Sequence, residues 1–144
     1  MMKRSMGMAI AILAAAPAAA QDRAAHGTWR TPDRGGLIEV NTCDGGPGER
    51  GLCGKVVGGD PKTPAAEQVD RNNKNPALRG RQLIGMYVFR GLRPAGKTWT
   101  GSIYNPEDGG TYKATATLKS ANEMSVRGCI VWPLCKTQVW TRVK

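Results

Sequence analysis

Apolar and polar positions alternate along most of this chain, and the clearest stretch runs from Lys97 to Leu118. Thr98–Tyr104 and Thr111–Leu118 alternate on either side of Asn105-Pro106-Glu107-Asp108-Gly109-Gly110. β-Branched, aromatic and small residues at period two around a Pro/Asp/Gly cluster predict a β-hairpin. Pairing Tyr104 with Thr111 leaves Pro106–Gly109 as the loop, with glycine free to take positive φ. That register sets Trp99 opposite Ala116, Gly101 opposite Ala114 and Ile103 opposite Tyr112 on one apolar face. Thr98, Thr100, Ser102, Lys113, Thr115 and Thr117 make the wet face.

The same reading predicts strands at His26–Thr31, Leu37–Thr42, Leu52–Val57, Leu83–Arg90, Asn122–Ile130 and Lys136–Val143. No amphipathic helix is expected. About eight short strands at regular spacing mean a sandwich or a closed barrel. Pairing Leu118 with Asn122 sets Ala116 by Met124, Ala114 by Val126 and Tyr112 by Gly128. An opposed Cys129 and Cys135 set Met124 by Trp140 and Val126 by Gln138. Trp99, Ile103, Tyr112, Ala114, Ala116, Met124, Val126 and Trp140 then share one inner face, which a one-residue slip would invert. Consecutive antiparallel pairing of this kind favours an all-β, single small up-and-down barrel, which leaves no sheet edge exposed.

The ends and the charge refine the picture. Lys3 and Arg4, the apolar run Met6–Ala16 and Ala18-Ala19-Ala20 have the form of a signal peptide over residues 1–20, cleaved before Gln21. The run is short for a membrane span, which takes ~20 apolar residues. Residues 21–144 are expected to be one periplasmic or secreted domain with no transmembrane segment. Loss of the leader removes two of the ten net positive charges, and the rest are scattered rather than blocked. A solvated cationic surface is the plain reading, and attraction to anionic envelope components the sharper one. Nucleic acid is a poor partner outside the cytoplasm. Export makes disulfides the default for Cys43, Cys53, Cys129 and Cys135. Of the three connectivities, the local pairs Cys43–Cys53 and Cys129–Cys135 fit the predicted strands best. Neither spacing is of the C-x₂-C type, and the single histidine, His26, lies at the start of the domain, so no metal or cofactor is expected.

Catalytic chemistry is poorly supplied. Gly91–Thr98 matches G-x-x-x-x-G-K-[ST], but that loop needs a following helix, and Trp99–Tyr104 is a strand former. It reads as a hairpin turn. Glu107-Asp108 sits at a hairpin tip, and no G-x-S-x-G or histidine-based triad is present, so a hydrolase is the least favoured reading. The long polar segment from Gly58 to Arg81 is more suggestive, because loops of that length in small domains usually have a use. It is expected either to satisfy its own backbone or to form a lid, with Asn75 nearby and Arg79 or Arg81 clamping an anionic group. Gly85, Gly101, Ala114, Ala116 and Gly128 are small strand residues that leave room for a ligand or for tight coiling. Tyr87, Trp99, Tyr112, Met124 and Trp140 complete the candidate ligand lining.

Gly27-Thr28-Trp29 near the first strand, with Arg142 following Trp140 on the last, resembles the lipocalin signature. A guanidinium over an indole with bonds to loop carbonyls gives it a physical basis. A wider resemblance rests on Thr31-Pro32-Asp33-x-Gly35-Gly36-x-Ile38-Glu39-Val40, Leu52-Cys53-Gly54-Lys55-Val56-Val57, Asn75-Pro76-x-Leu78-Arg79, Ile103–Gly109 and Trp140-Thr141-Arg142-Val143. These resemble the bacterial exported family catalogued as domain of unknown function 2147. The resemblance implies a lipocalin-like barrel outside the cytoplasm and no established activity. The chain departs from it at Gly58-Gly59, where a bulky apolar residue is usual, which bears on any apolar lining there. The expected function is non-catalytic binding of a small apolar or anionic-headed molecule under the Asp60–Arg81 loop. The alternative is a structural or interaction protein of the envelope with a filled barrel.

Overall fold

The computed structural model describes residues 18–43 and 51–144. The apolar run of the leader, Met6–Ala16, and the loop Asp44–Gly48 lie outside the described residues. A helix, α1 (Ala18–Ala25), precedes eight strands: β1 (Gly27–Arg30), β2 (Leu37–Thr42), β3 (Leu52–Gly58), β4 (Tyr87–Ala95), β5 (Thr98–Asn105), β6 (Gly110–Ser120), β7 (Glu123–Val131) and β8 (Leu134–Arg142). They pair antiparallel in chain order, and β1 meets β8 through Trp29–Arg142 and Arg30–Thr141 to close a barrel. No helix among the described residues is long and apolar enough to cross a membrane.

The β5–β6 hairpin has the predicted register, with Trp99 opposite Ala116, Ile103 opposite Tyr112 and Tyr104 opposite Thr111. The β7–β8 pair likewise sets Met124 by Trp140, Val126 by Gln138 and Cys129 by Cys135. Between them the expectation needs correction. Leu118 faces Met124 rather than Asn122, because an irregularity between Leu118 and Ser120 moves the turn and the register by two residues. An even shift preserves side-chain faces, so the shared inner lining survives.

Three further differences have local causes. The strand predicted at Leu83–Arg90 starts at Tyr87 and runs on to Ala95. Leu83–Met86 instead form a turn, in which the Gly85 amide donates to the Val56 carbonyl at φ +94°, so Gly85 is not a strand residue. The phosphate-loop look-alike shrinks to a two-residue turn at Gly96-Lys97, Gly96 taking φ +63° as such turns demand. Helix α1 was not expected, since its eight residues show no amphipathic stripe and are too few for a helix that stands alone. It forms because tertiary contacts hold it: Ala25 and Asp22 are buried, and the Trp99 indole donates to Asp22 Oδ1 at 2.8 Å.

Both disulfides are local, Cys43–Cys53 with Cα atoms 5.3 Å apart and Cys129–Cys135 with 4.1 Å. Trp29, Val40, Leu52, Phe89, Leu92, Trp99 and Met124 fill the end of the barrel next to α1. Arg142 seals that end, with its guanidinium 4.3 Å from the Trp29 ring centroid. It also donates to the carbonyls of Ala24 (2.7 Å), Ala121 (2.6 Å) and His26. At the opposite end emerge the 31–36, 59–86 and 106–109 connections and the Trp132-Pro133 turn.

Candidate functional site

The open end holds a cavity of about 800 Å³. Its floor comes from inward positions of six strands: Ile38, Val56, Val88, Ile103, Val126 and Trp140. Alternation puts these side chains inside, as the hydrophobic effect requires of one face of a closed sheet. The wall is mostly apolar, and the rim is polar, with Asp33, Arg34, Glu67, Gln68, Arg71, Glu107, Asp108, Lys136 and Gln138. The space falls within the ~300–1,000 Å³ range of small-molecule sites. A barrel filled by its own side chains would leave no such space.

Rim groups hold one another in place. Trp140 Nε1 donates to Gln138 Oε1 at 3.1 Å, and the Gln138 amide donates to Asp33. The Tyr112 hydroxyl donates to Asp108, and the Arg34 guanidinium lies 3.5 Å from the Glu107 carboxylate. That hydrogen bond to Asp108 raises the Tyr112 phenol above its ordinary range.

The long 59–86 connection crosses the rim and is fastened by one buried carboxylate. Asp70 is fully buried and accepts from Tyr104 OH at 2.6 Å, Asn73 Nδ2 at 2.8 Å and Arg81 Nε at 2.9 Å. Burial, then the hydrogen bond to Asp70, pushes the Tyr104 phenol up to about 12. Nearby, Asn72 Nδ2 donates to the carbonyls of Pro106 and Glu107. Gly109 lets the segment approach, since a Cβ there would lie 1.9 Å from the Asn72 carbonyl oxygen. The sequence marks Asp70 only as the carboxylate of a polar stretch running to Arg81, and does not give it this fastening role.

The structure brings together only some of the residues singled out above. Tyr112 and Trp140 line the cavity. Trp99 and Met124 do not: they are buried in the filled end, Trp99 being held there by Asp22. Arg79 and Arg81 do not clamp the rim, because Arg79 Nε donates to the Asn73 carbonyl (2.8 Å) and Arg81 is engaged by Asp70. Asn75 uses its side chain to cap the short turn Pro76–Leu78. Tyr87 points outward beside Arg90, whose guanidinium is 4.3 Å from its ring, at a separate depression of about 290 Å³. Of the small residues, Gly128 borders the cavity, whereas the space at Gly101 is occupied by Leu92. The floor residues Ile38, Val56 and Val88 carried only the general signal of apolar alternation.

A family model for an uncharacterized protein conserved in bacteria (DUF2147) matches residues 27–142. The chain belongs to that family. Among solved structures, the DUF2147 barrel is similar to protein HP1028 from the human pathogen Helicobacter pylori, described as belonging to the lipocalin family. The two align with a TM-score of 0.67 and 21% identity, over 83% of this chain and 82% of that one. At this identity the likeness establishes a shared lipocalin-like fold. No curated protein matches the DUF2147 chain. The seal formed by Gly27, Trp29 and Arg142 belongs to the closed end, so it supports the container and does not line it.

Proposed function

We propose that this protein is an exported, non-catalytic carrier or sensor that holds one small, largely apolar molecule in the open half of its barrel. The observation that carries the reading is the 800 Å³ cavity with an apolar floor and a polar rim. Signal-like residues 1–20 and two disulfides support placement outside the cytoplasm. The rim favours a ligand whose polar end is neutral or cationic over one with an anionic head. Asp33, Asp60, Glu67, Glu107 and Asp108 border the cavity against Arg34, Arg71 and Lys136, although the chain as a whole is strongly basic.

The test uses the neutral apolar dye N-phenyl-1-naphthylamine with protein stripped of bound molecules, alongside native mass spectrometry of protein purified under mild conditions. Saturable binding of one dye per chain is expected, with a small molecule co-purifying. Ile103→Trp, which fills the cavity from a half-buried inward position, should abolish dye uptake while the protein stays folded. No dye binding, with a bare protein mass from every preparation, would reject the carrier.

A further inference from the structure

The β7–β8 hairpin ends in an apolar tip that no described residue covers. Ile130, Val131, Trp132 and Leu134 are 69%, 58%, 74% and 64% exposed. Other exposed large apolar residues, such as Val57, Leu78 and Val143, are isolated, which is ordinary for a protein surface. Several together on one projecting turn are not.

Beyond Glu123, the two strands that carry the tip hold charges of one sign. Residues 124–144 contain no Asp or Glu. Arg127 places its guanidinium 5.5 Å from the Trp132 ring centroid, and Lys113 faces Cys129 across the β6–β7 pair. Lys136 pairs with Gly128 just behind the tip. Of the acidic side chains bordering the cavity, Glu107 is paired with Arg34, while Asp33 and Asp108 accept from the neutral Gln138 and Tyr112.

We propose that the Ile130–Leu134 tip docks the barrel onto an anionic lipid bilayer. A tryptophan backed by arginine and lysine suits the boundary between headgroups and acyl chains, where apolar burial and attraction to anionic lipid act together. A second copy of this chain fits less well. A stable interface takes ~800 Å² per partner, more than this narrow turn offers, and two strongly cationic chains repel. Ile130 and Leu134 also border the cavity, so docking would bring its mouth close to lipid. That purpose rests on the carrier reading; the docking itself does not.

Flotation with phosphatidylcholine vesicles, alone or with about one-third phosphatidylglycerol, tests it. Binding is expected with the anionic vesicles and should weaken in high salt. The double variant Trp132→Ser/Leu134→Ser should bind roughly tenfold more weakly or worse, given the apolar surface removed. Brominated acyl chains provide a readout in the unaltered protein. Trp29, Trp99 and Trp140 are buried, so quenching of the exposed Trp132 reports insertion directly. Failure to float with anionic vesicles, undiminished flotation of the tip variant, unquenched emission, or a dimer that the variant dissolves would each overturn docking. None of these readouts depends on dye uptake, so the two proposals fail separately.

Discussion

Replacing Asp70 with alanine should free the segment that crosses the cavity mouth without opening the barrel. The carboxylate is fully buried and takes three donors, from Tyr104 (2.6 Å), Asn73 (2.8 Å) and Arg81 (2.9 Å). Removing one member of a fully buried ion pair costs ~3–5 kcal/mol when the other charge stays trapped. Arg81 is not trapped: its side chain is 39% exposed and can return to water, which lowers that figure. The buried Asn73 amide cannot, and an orphaned buried donor costs ~1–3 kcal/mol. About 3 kcal/mol is therefore expected for the variant. Most of it should appear as easier local opening, because the segment lies outside the closed ring of strands. At ~1.4 kcal/mol per tenfold, hydrogen exchange over residues 69–82 should accelerate by roughly two orders of magnitude. Amides of β5–β8 should keep most of their protection. Asp70→Asn, which retains one acceptor oxygen and the shape, should fall between the two. Protection in 69–82 unchanged by Asp70→Ala, or lost equally from every strand, would refute the idea that this carboxylate is a local fastening.

Tyr104 links the same cluster to pH. Its phenol is raised from 10.0 to about 12, so the folded chain favours the neutral form. The associated stability is whole below pH 10 and is lost as pH climbs through about 12. Urea midpoints should fall over that interval, and Tyr104→Phe should flatten part of the fall; an identical slope in the variant would contradict the assignment. At the closed end, Arg142→Lys should cost about 2–3 kcal/mol in denaturant unfolding, since an ammonium can neither stack as a plane nor fork to several carbonyls. An unchanged midpoint would show that the seal over Trp29 contributes nothing.

Strand positions, their inner face and the order of pairing could be read from the chain because each depends on local signals. Alternation at period two marks a face, and Pro, Asp and Gly mark a turn. Thr98–Leu118 contains both signals, so its register could be read residue by residue. The β6–β7 turn has weaker signals, and its register differs by two, yet Ala116 and Val126 still point inward. The tryptophan–arginine seal was legible through its likeness to the lipocalin signature, and the pairing of β1 with β8 brings Trp29 and Arg142 together.

Which half of the barrel is open depended on tertiary packing. Gly101 looks like room for a ligand, but Leu92 on the neighbouring strand occupies that space, while Gly128 has no such neighbour across the barrel. Helix α1 is alanine-rich but too short to stand alone, and it is held against Trp99, 77 residues from its partner Asp22. Asp70 has near partners in Asn73 and Arg81, but its third donor, Tyr104, lies 34 residues away on β5, and only folding makes the cluster a fastening to the barrel. Alternation records which way a side chain points. Whether it meets another side chain or empty space depends on residues that only folding brings near.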